Sequence, residues 1–267
     1  MKYLIKNLLK EIREIPFKFR SILEISKIHK IRAKFHNIMY KSKLNYNEDF
    51  KFYSFEPMPK KEFLDEYYKT AFLKIRPSQA EENNLRDTDY LHFELIQKNI
   101  LSEFKNKKCK ILNFGSGHGG VSLLLRSNNH IIYNFEYQTP KKNIFNTDYY
   151  FINDFDQIDK DTKFDIIYSS HVLEHLSDIF ELLKQFKECS HENTFYFFEV
   201  PNGFNQKRVN PPHTYYFTKS FFEKIFSNKK EKKYISYINK NGKIFNTEAE
   251  VDDIKSSIIT ITNNQLI

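Results

Sequence analysis

The segment KILNFGSGHGG at residues 110–120 decides the fold of this chain. An apolar run ends at Phe114 in a glycine cluster, and the residues from Gly120 to Leu125 are typical of a helix. The chain has only 6 glycines, and four of them, at 115, 117, 119 and 120, lie here. Glycines between a strand and a helix N-terminus permit a tight turn and let main-chain N–H groups approach the anionic part of a ligand. We therefore expect a nucleotide-like cofactor at this loop.

Segments with strand and helix patterns alternate on both sides of the glycine loop. Strands are expected at 109–114, 131–135, 149–152, 164–168 and 194–200, and helices at 88–104, 120–125 and 172–189. Alternation of this kind predicts βαβ units in a mostly parallel sheet, and therefore an α/β fold. Near the end of the chain, 233–238, a turn at 239–242 and 256–262 predict an antiparallel closing pair with an insertion.

The glycine pattern alone does not identify the cofactor, because it fits sites for both S-adenosylmethionine and NAD. Glu136 follows the next strand, 21 positions after Gly115, where an acid can accept hydrogen bonds from both hydroxyls of a ribose. The alternative for Glu136 is a solvated acid at a strand end. An NAD-dependent oxidoreductase would also need a hydride-transfer constellation such as Tyr-x-x-x-Lys, and we find no such constellation.

Further motifs follow the glycine loop in the sequence: FEYQ at 135–138, INDF at 152–155, FDIIYSSHVLEHLSD at 164–178, FFEVPN at 197–202 and PPHTYYFT at 211–218. In this order and spacing they resemble the class I S-adenosylmethionine-dependent methyltransferases, particularly the small-molecule (type 11/23-like) branch. The resemblance implies a Rossmann-like, seven-stranded, mostly parallel sheet with an antiparallel final strand and helices on both faces. It also implies S-adenosylmethionine as cofactor at the carboxyl ends of the strands, which is where open α/β sheets bind ligands.

The resemblance also assigns residues to the cofactor: Asn113, Gly115, Ser116, Gly117, Glu136, Tyr137, Asp154, Phe155 and Ser170. The glycine loop would hold the methionine portion and the ribose, Glu136 the ribose, and Asp154 the adenine amino group between two flanking aromatic rings. Asn113 is a departure, because the family usually has Asp or Glu at this position. An Asn can hydrogen-bond the cofactor ammonium but supplies no counter-charge, so affinity for the cofactor could be weakened.

Three histidines are candidates for the chemistry. Methyl transfer from a sulfonium is an in-line displacement, and a hydroxyl acceptor must also lose its proton. His171 follows the fourth strand of the resembling fold, where the methyl group is expected, and His175 lies one helical turn later on the same face. We expect His171 to act as the general base, His213 to be the second candidate, and His175 to orient or pack, although each could simply cap or pack. His171 and His175 could hold a divalent ion, but they lack the Glu of an HExxH site, so no metal is expected.

Positive charge is concentrated at the N-terminus. Residues 1–45 carry 12 Lys or Arg and 3 Glu, a net +9, which leaves 8 − 9 = −1 for the rest of the chain. Apolar residues at helical spacing on both sides of Pro16 predict two short amphipathic helices. We expect a basic helical extension at 1–50 and a methyltransferase domain at 51–267, with the glycine loop to the fifth strand at 109–200. The extension could contact an anionic membrane, bind another partner, form a homodimer or pack on its own domain.

Composition narrows the function further. The neutral body argues against a nucleic-acid substrate, and two cysteines 80 positions apart argue against structural zinc or a disulfide framework. Without a long apolar window or a signal peptide, a cytoplasmic protein is expected. The leading expectation is O-methylation of a small-molecule substrate, namely a sugar, a surface-polysaccharide precursor or a phosphorylated metabolite. N-methylation of a small amine and a non-catalytic nucleotide- or partner-binding module are the alternatives.

Overall fold

A computed structural model describes residues 22–68, 81–105, 107–136, 148–203, 212–227, 230, 232–238, 244–245 and 256–267. The helix expected before Pro16, Tyr137 and the turn expected at 239–242 lie outside these ranges. No helix within them combines the length and the apolar character that crossing a membrane requires.

The strands form one large and one small sheet. In chain order they are β1 (Lys43–Asn47), β2 (Phe52–Glu56), β3 (Lys110–Phe114), β4 (Ile131–Phe135), β5 (Tyr149–Ile152), β6 (Phe164–Ser170), β7 (Ser190–Pro201), β8 (Tyr215–Phe217), β9 (Lys232–Ile238), β10 (Ile244–Phe245) and β11 (Ser256–Thr262). The large sheet has the order β10-β9-β11-β7-β6-β3-β4-β5, and the small sheet has the order β1-β2-β8.

The central strands of the large sheet are parallel, as the βαβ pattern predicts. Parallel pairing extends over five adjacent strands, in the order β5, β4, β3, β6 and β7. β11 lies between β7 and β9 and is antiparallel to both. The predicted seven-stranded, mostly parallel sheet with a reversed final strand is confirmed. The two-residue strand β10 adds an eighth member at the edge, antiparallel to β9.

Six α-helices lie within the described part of the chain: α1 (Ile22–Lys41), α2 (Lys61–Glu66), α3 (Asp87–Asn99), α4 (Gly120–Ser127), α5 (Ile179–Glu188) and α6 (Lys219–Ile225). Successive residues of a strand point to opposite faces. Accordingly, Ile111 packs in the same buried cluster as Ile96 of α3, and Leu112 packs with Phe186 of α5. The sheet is therefore covered by helices on both faces, as expected.

The chain between β6 and α5 differs from the single helix predicted at 172–189. A 3-10 turn covers Leu173–His175, Leu176 is extended, and α5 begins only at Ile179. Asp178 sets this start, because its carboxylate accepts hydrogen bonds from the N–H groups of residues 180 and 181. The expectation that His171 and His175 share one helical face is therefore wrong.

The small sheet connects the N-terminal segment to the rest of the protein. β1 and β2 form an antiparallel hairpin, and β2 pairs with β8. Helix α1 buries Ile28, Ile31 and Phe35 in one cluster with Phe55 and Tyr216. The described part of the extension thus packs on its own domain, which is one of the alternatives. The expected boundary at residue 50 lies in the turn of the hairpin and stays a prediction.

Candidate functional site

The glycine loop joins β3 to α4 in a conformation that needs glycine. Gly115, Gly117 and Gly119 have φ angles of 71°, 60° and 85°, in the left-handed region that residues with a Cβ avoid. A Cβ on Gly115 would lie 2.2 Å from Cγ2 of Val172, and one on Gly120 would lie 2.4 Å from the carboxyl group of Asp89. The concentration of glycine in the sequence therefore reflects both backbone conformation and close packing.

Main-chain groups tie the loop to the end of β4. The N–H groups of Gly115 and Ser116 donate to the carbonyl oxygen of Phe135 at 2.9 and 3.0 Å. The N–H of Gly117 donates to Oε2 of Glu136 at 2.9 Å. Glu136 thus lies beside the loop, within reach of a ligand that spans both, and its role with the ribose stays a prediction.

Asn113 is buried under the loop in a chain of neutral polar groups. Its Nδ2 donates to Oγ of Ser122 at 2.7 Å, and this hydroxyl donates to Oδ1 of Asn134 at 2.5 Å. Oδ1 of Asn113 is buried without a hydrogen-bond partner among the described residues. A carboxylate at position 113 could not donate a hydrogen bond to Ser122, and this explains why an Asn occupies the position. The side-chain oxygen of Asn113 can still accept a hydrogen bond from a ligand.

Two neighbouring cavities meet at His175. The first, called here the loop cavity, has a volume of about 430 Å³ and is lined by Asn113, Gly115, Ser116, Gly117, Ser170, His171 and His175, among others. The second cavity has a volume of about 710 Å³, and its lining includes Tyr68, Asp154, Phe155 and His175. These volumes are typical of sites for small ligands. The predicted cofactor residues within the described ranges therefore lie in one region of the protein. Glu136 lies beside the glycine loop in the same region.

The predicted adenine residues differ in their surroundings. Asp154 is exposed, and its Oδ1 accepts a hydrogen bond from the N–H of Asp156 at the start of a 3-10 turn. Phe155 packs against Phe114 and Phe135, with ring centroids 6.0 and 4.9 Å away. An aromatic surface thus borders the second cavity, and the contacts of both residues with adenine stay predictions.

Side chains after β6, within β7 and before β8 form a histidine wall, which consists of His171, Glu174, His175, Glu199 and His213. His171 has a left-handed backbone (φ 53°), and its N–H donates to the carbonyl oxygen of Glu199 at 3.0 Å. Its Nδ1 is 3.3 Å from Oε1 of Glu174, and its Nε2 is 3.2 Å from Oε1 of Glu199. The imidazole is 45% exposed, whereas the two carboxylates are at most 1% exposed. The buried carboxylates therefore fix the ring, and the ring lines the loop cavity.

Protonation differs across the wall. Burial alone would lower the pKa of His171, but hydrogen bonds to Glu174 and Glu199 raise it to about 10. Burial, together with the charge of His175, lowers the pKa of His213 to about 4. In the protein without ligands, His171 therefore holds a proton at neutral pH and His213 does not.

His213 joins the wall from the segment before β8. Its ring centroid lies 5.0 Å from that of His175. The N–H of Thr214 donates to the carbonyl oxygen of Glu174 at 2.7 Å, and the hydroxyl of Thr214 donates to the same oxygen at 3.0 Å. All three predicted catalytic histidines are thus brought together, although none of their roles is tested by this arrangement.

Two polar groups, built around the buried carboxylates of Glu199 and Asp89, were not expected from the sequence. Nδ1 of His92 lies 2.8 Å from the hydroxyl of Tyr168, and its Nε2 lies 3.1 Å from Oε2 of Glu199. The hydroxyl of Ser170 also donates to Glu199. The sequence feature that indicates this group is Glu199, an acid within the apolar run of β7, because a buried charge needs partners.

The second group lies beside the glycine loop. Oδ2 of Asp89 is 3.0 Å from Nε2 of His118, and Arg86 contacts both side chains at 3.1 and 2.9 Å. Burial would raise the pKa of Asp89, but hydrogen bonds from His118 and Arg86 hold it well below its usual range. The sequence of α3 gives no signal that Asp89 faces the loop.

The comparisons with known proteins are consistent with this geometry. A family model described as a methyltransferase domain matches residues 84–246. This range includes the glycine loop, Glu136 and the three histidines of the wall. No curated protein matches the chain.

Solved structures resemble the chain at low sequence identity. One is the 1,6-didemethyltoxoflavin-N1-methyltransferase of Burkholderia thailandensis with bound 1,6-didemethyltoxoflavin and S-adenosylhomocysteine, at 11% identity and a TM-score of 0.44, covering 67% of this chain and 87% of that one. A protein from Pyrococcus horikoshii has 14% identity and a TM-score of 0.45, covering 76% and 99%. Coclaurine N-methyltransferase bound to N-methylheliamine and S-adenosylhomocysteine has 15% identity and a TM-score of 0.42, covering 82% and 70%.

Proposed function

The chain belongs to the family of methyltransferase domains, with S-adenosylmethionine as cofactor, and from this premise we propose that it methylates a hydroxyl group of a small polar acceptor. The observation that carries this proposal is the contact between the two cavities at His175. A cofactor on the glycine loop and an acceptor beside the histidine wall would then meet at one point. In-line transfer requires this proximity of nucleophile and methyl carbon, together with exclusion of water.

A hydroxyl acceptor is supported by the histidine wall, because a hydroxyl must lose its proton as the methyl group is transferred. His171 stays our first candidate for the base. Glu174 and Glu199 orient its ring through both nitrogens, whereas in a catalytic triad one nitrogen faces the nucleophile. The same carboxylates keep a proton on His171 in the protein without ligands, so removal of the hydroxyl proton needs a further feature of the wall.

A sugar or a surface-polysaccharide precursor is the acceptor class that we propose, with phosphorylated sugars as the related possibility. Such molecules carry several hydroxyls and are polar. The second cavity has charged and polar groups for them, including Lys61, Asp65 and His175. Its volume of about 710 Å³ also suits a small ligand better than a polymer.

Labelled S-adenosylmethionine tests this proposal directly. The protein is incubated with sugar nucleotides, sugar phosphates and their amino-sugar analogues, and the label in each product is measured. We expect label on hydroxyl acceptors and a turnover lowered by roughly 100-fold or more in His171→Gln, while affinity for S-adenosylhomocysteine is retained. His191→Gln is the matched control, since His191 pairs with Asp165 away from the wall.

Two results would oppose the proposal. Faster labelling of amines than of hydroxyls, with little effect of His171→Gln, would favour N-methylation. Absence of S-adenosylhomocysteine binding to a folded protein would favour the non-catalytic binding module and would point to Asn113 as the cause.

A further inference from the structure

Three potential metal ligands converge on the histidine wall. One ligand atom each from Glu174, His175 and His213 lies within 4.8 Å of the other two. Glu174 and His175 are neighbours in the 3-10 turn after β6, whereas His213 arrives from the segment before β8. This set differs from the His171 and His175 pair that the sequence spacing suggested, because the turn replaces the helix on which that pair depended.

The carboxylate of Glu174 has one oxygen that lacks a protein partner. Oε1 is contacted by Nδ1 of His171 at 3.3 Å, but Oε2 is buried without a hydrogen-bond partner among the described residues. The side chain as a whole is 1% exposed. A buried carboxylate oxygen without a donor is costly, so a ligand that binds this oxygen would stabilise the site.

The ring of His175 is oriented as a metal ligand commonly is. Nδ1 lies 3.5 Å from the carbonyl oxygen of Pro212, which favours the proton on that nitrogen. Nε2 is then the nitrogen without a proton, and it lies 3.7 Å from Oε1 of Glu174. A backbone carbonyl that accepts from the second ring nitrogen is the usual partner of a ligating histidine.

The two segments that carry the ligands are fixed to each other. Thr214, next to His213, donates through its N–H and its hydroxyl to the carbonyl oxygen of Glu174. The same hydroxyl also lies 2.6 Å from the carbonyl oxygen of Leu176. Only small side-chain rotations are therefore needed to bring the three ligand atoms to the separations of about 3.0–3.4 Å that bonds of about 2.1 Å imply.

We propose that Glu174, His175 and His213 bind one divalent first-row transition ion, with open coordination positions beside the two cavities that His175 lines. Two imidazoles and one carboxylate favour ions such as Mn²⁺, Fe²⁺, Co²⁺ or Zn²⁺ over Mg²⁺ and Ca²⁺, which prefer oxygen ligands. His171 does not bind the ion in this arrangement. It contacts Glu174 instead, and so orients the carboxylate from behind.

This inference rests on the proposed function for its chemical meaning. A hydroxyl oxygen bound to the ion becomes more acidic and loses its proton to water or buffer. The oxygen then forms a bond to the methyl carbon while the bond from that carbon to sulfur breaks, and the electron pair stays on sulfur. The ion thus acidifies the acceptor hydroxyl directly.

Cobalt binding tests the site without any assay of activity. The full chain, produced without a histidine tag and stripped with a chelator, is dialysed against Co²⁺, and bound metal and visible absorption are measured. We expect one Co²⁺ per chain with a d–d spectrum that includes nitrogen ligation. His213→Gln should weaken binding by roughly 10-fold or more, and His191→Gln should leave it unchanged.

Either of two results would overturn the proposal. Failure of the wild-type protein to bind one Co²⁺ would overturn it, as would equal affinity in folded His213→Gln. If His213→Gln does not fold, His175→Gln takes its place, since His175 lies in a partly exposed turn.

The two proposals fail in different ways. Hydroxyl methylation that persists in the presence of chelator, in a protein that binds no Co²⁺, would remove the metal site and leave the proposed function intact. Stoichiometric Co²⁺ binding without methylation of any hydroxyl would leave the site intact and remove the proposed acceptor.

Discussion

Gly115→Ala perturbs the glycine loop at its tightest point. The new Cβ would lie 2.2 Å from Cγ2 and 2.8 Å from Cγ1 of Val172, so both methyl groups must move. The backbone at this position has φ 71°, which disfavours any residue with a side chain. The substitution therefore combines two separate costs, one from conformation and one from overlap.

Each cost has a known scale. A left-handed conformation destabilises an L-residue by about 1–2 kcal/mol. Relief of the overlap displaces Val172 and adds about 1–3 kcal/mol, as in other overpacked sites. The sum of about 2–5 kcal/mol corresponds to a loss of roughly 5–15 °C in Tm for a domain of this size.

Gly119→Ala provides the matched control. Gly119 has φ 85°, but a Cβ there would meet only the hydroxyl of Tyr149 at 3.3 Å. This variant therefore bears mainly the conformational cost. Thermal unfolding and calorimetric titration with S-adenosylhomocysteine should show the larger loss of Tm in Gly115→Ala, together with affinity lowered by roughly 10-fold or more, since the N–H groups of the loop move.

Val172→Ala in the Gly115→Ala background isolates the overlap. The double-mutant cycle should give a favourable coupling energy of about 1–3 kcal/mol, because the shorter side chain leaves room for the new Cβ. Equal Tm values for Gly115→Ala and Gly119→Ala, together with zero coupling to Val172, would refute the reasoning.

Three further predictions follow from single side chains. Asp178→Ala should cost about 1 kcal/mol in urea unfolding because two N–H groups at the start of α5 lose their acceptor, whereas Asp178→Asn should cost little; equal losses would contradict the capping role. Glu136→Ala should weaken S-adenosylhomocysteine binding by about 10- to 100-fold in calorimetry, with a smaller effect for Gln, and unchanged affinity would remove Glu136 from the ribose site. The pKa of Asp89 lies below its usual range in the folded state, so the unfolded state binds more protons as the pH falls below about 5, and stability is lost in that direction. Asp89→Asn, which lacks this group, should lose less stability between pH 5 and 3 than the wild type; parallel pH profiles would rule out the linkage to Arg86 and His118.

Much of the fold could be predicted because its signals are local. The glycine cluster and the short apolar runs lie close together in sequence, and β4 and β5 begin and end where those runs do. The break after Ser170 could not be predicted in the same way. Residues 172–189 have helical periodicity throughout, and the competing signal, the capping carboxylate of Asp178, is a single side chain.

The parts of the candidate site that lie within a single sequence motif could be predicted. The loop residues, Glu136 and the three histidines come from motifs, and the structure places them together. Glu199 and His92 are separated by more than 100 residues in the sequence, so their contact depends on the sheet order. The partners of Asp89 likewise depend on how α3 packs over the loop, which no local pattern encodes.

The small sheet makes the order of folding matter for the histidine wall. β8 follows directly after His213 and Thr214, and it pairs with β2, which lies more than 150 residues earlier. The hydroxyl of Thr218 reaches the carbonyl oxygen of Lys51 across a separation of 167 residues. Contacts of such long range close large loops and form slowly. The wall therefore acquires its final geometry only when the hairpin has docked on β8. A shortened chain that begins after the hairpin would lose organisation at His213, although no hairpin residue lines either cavity.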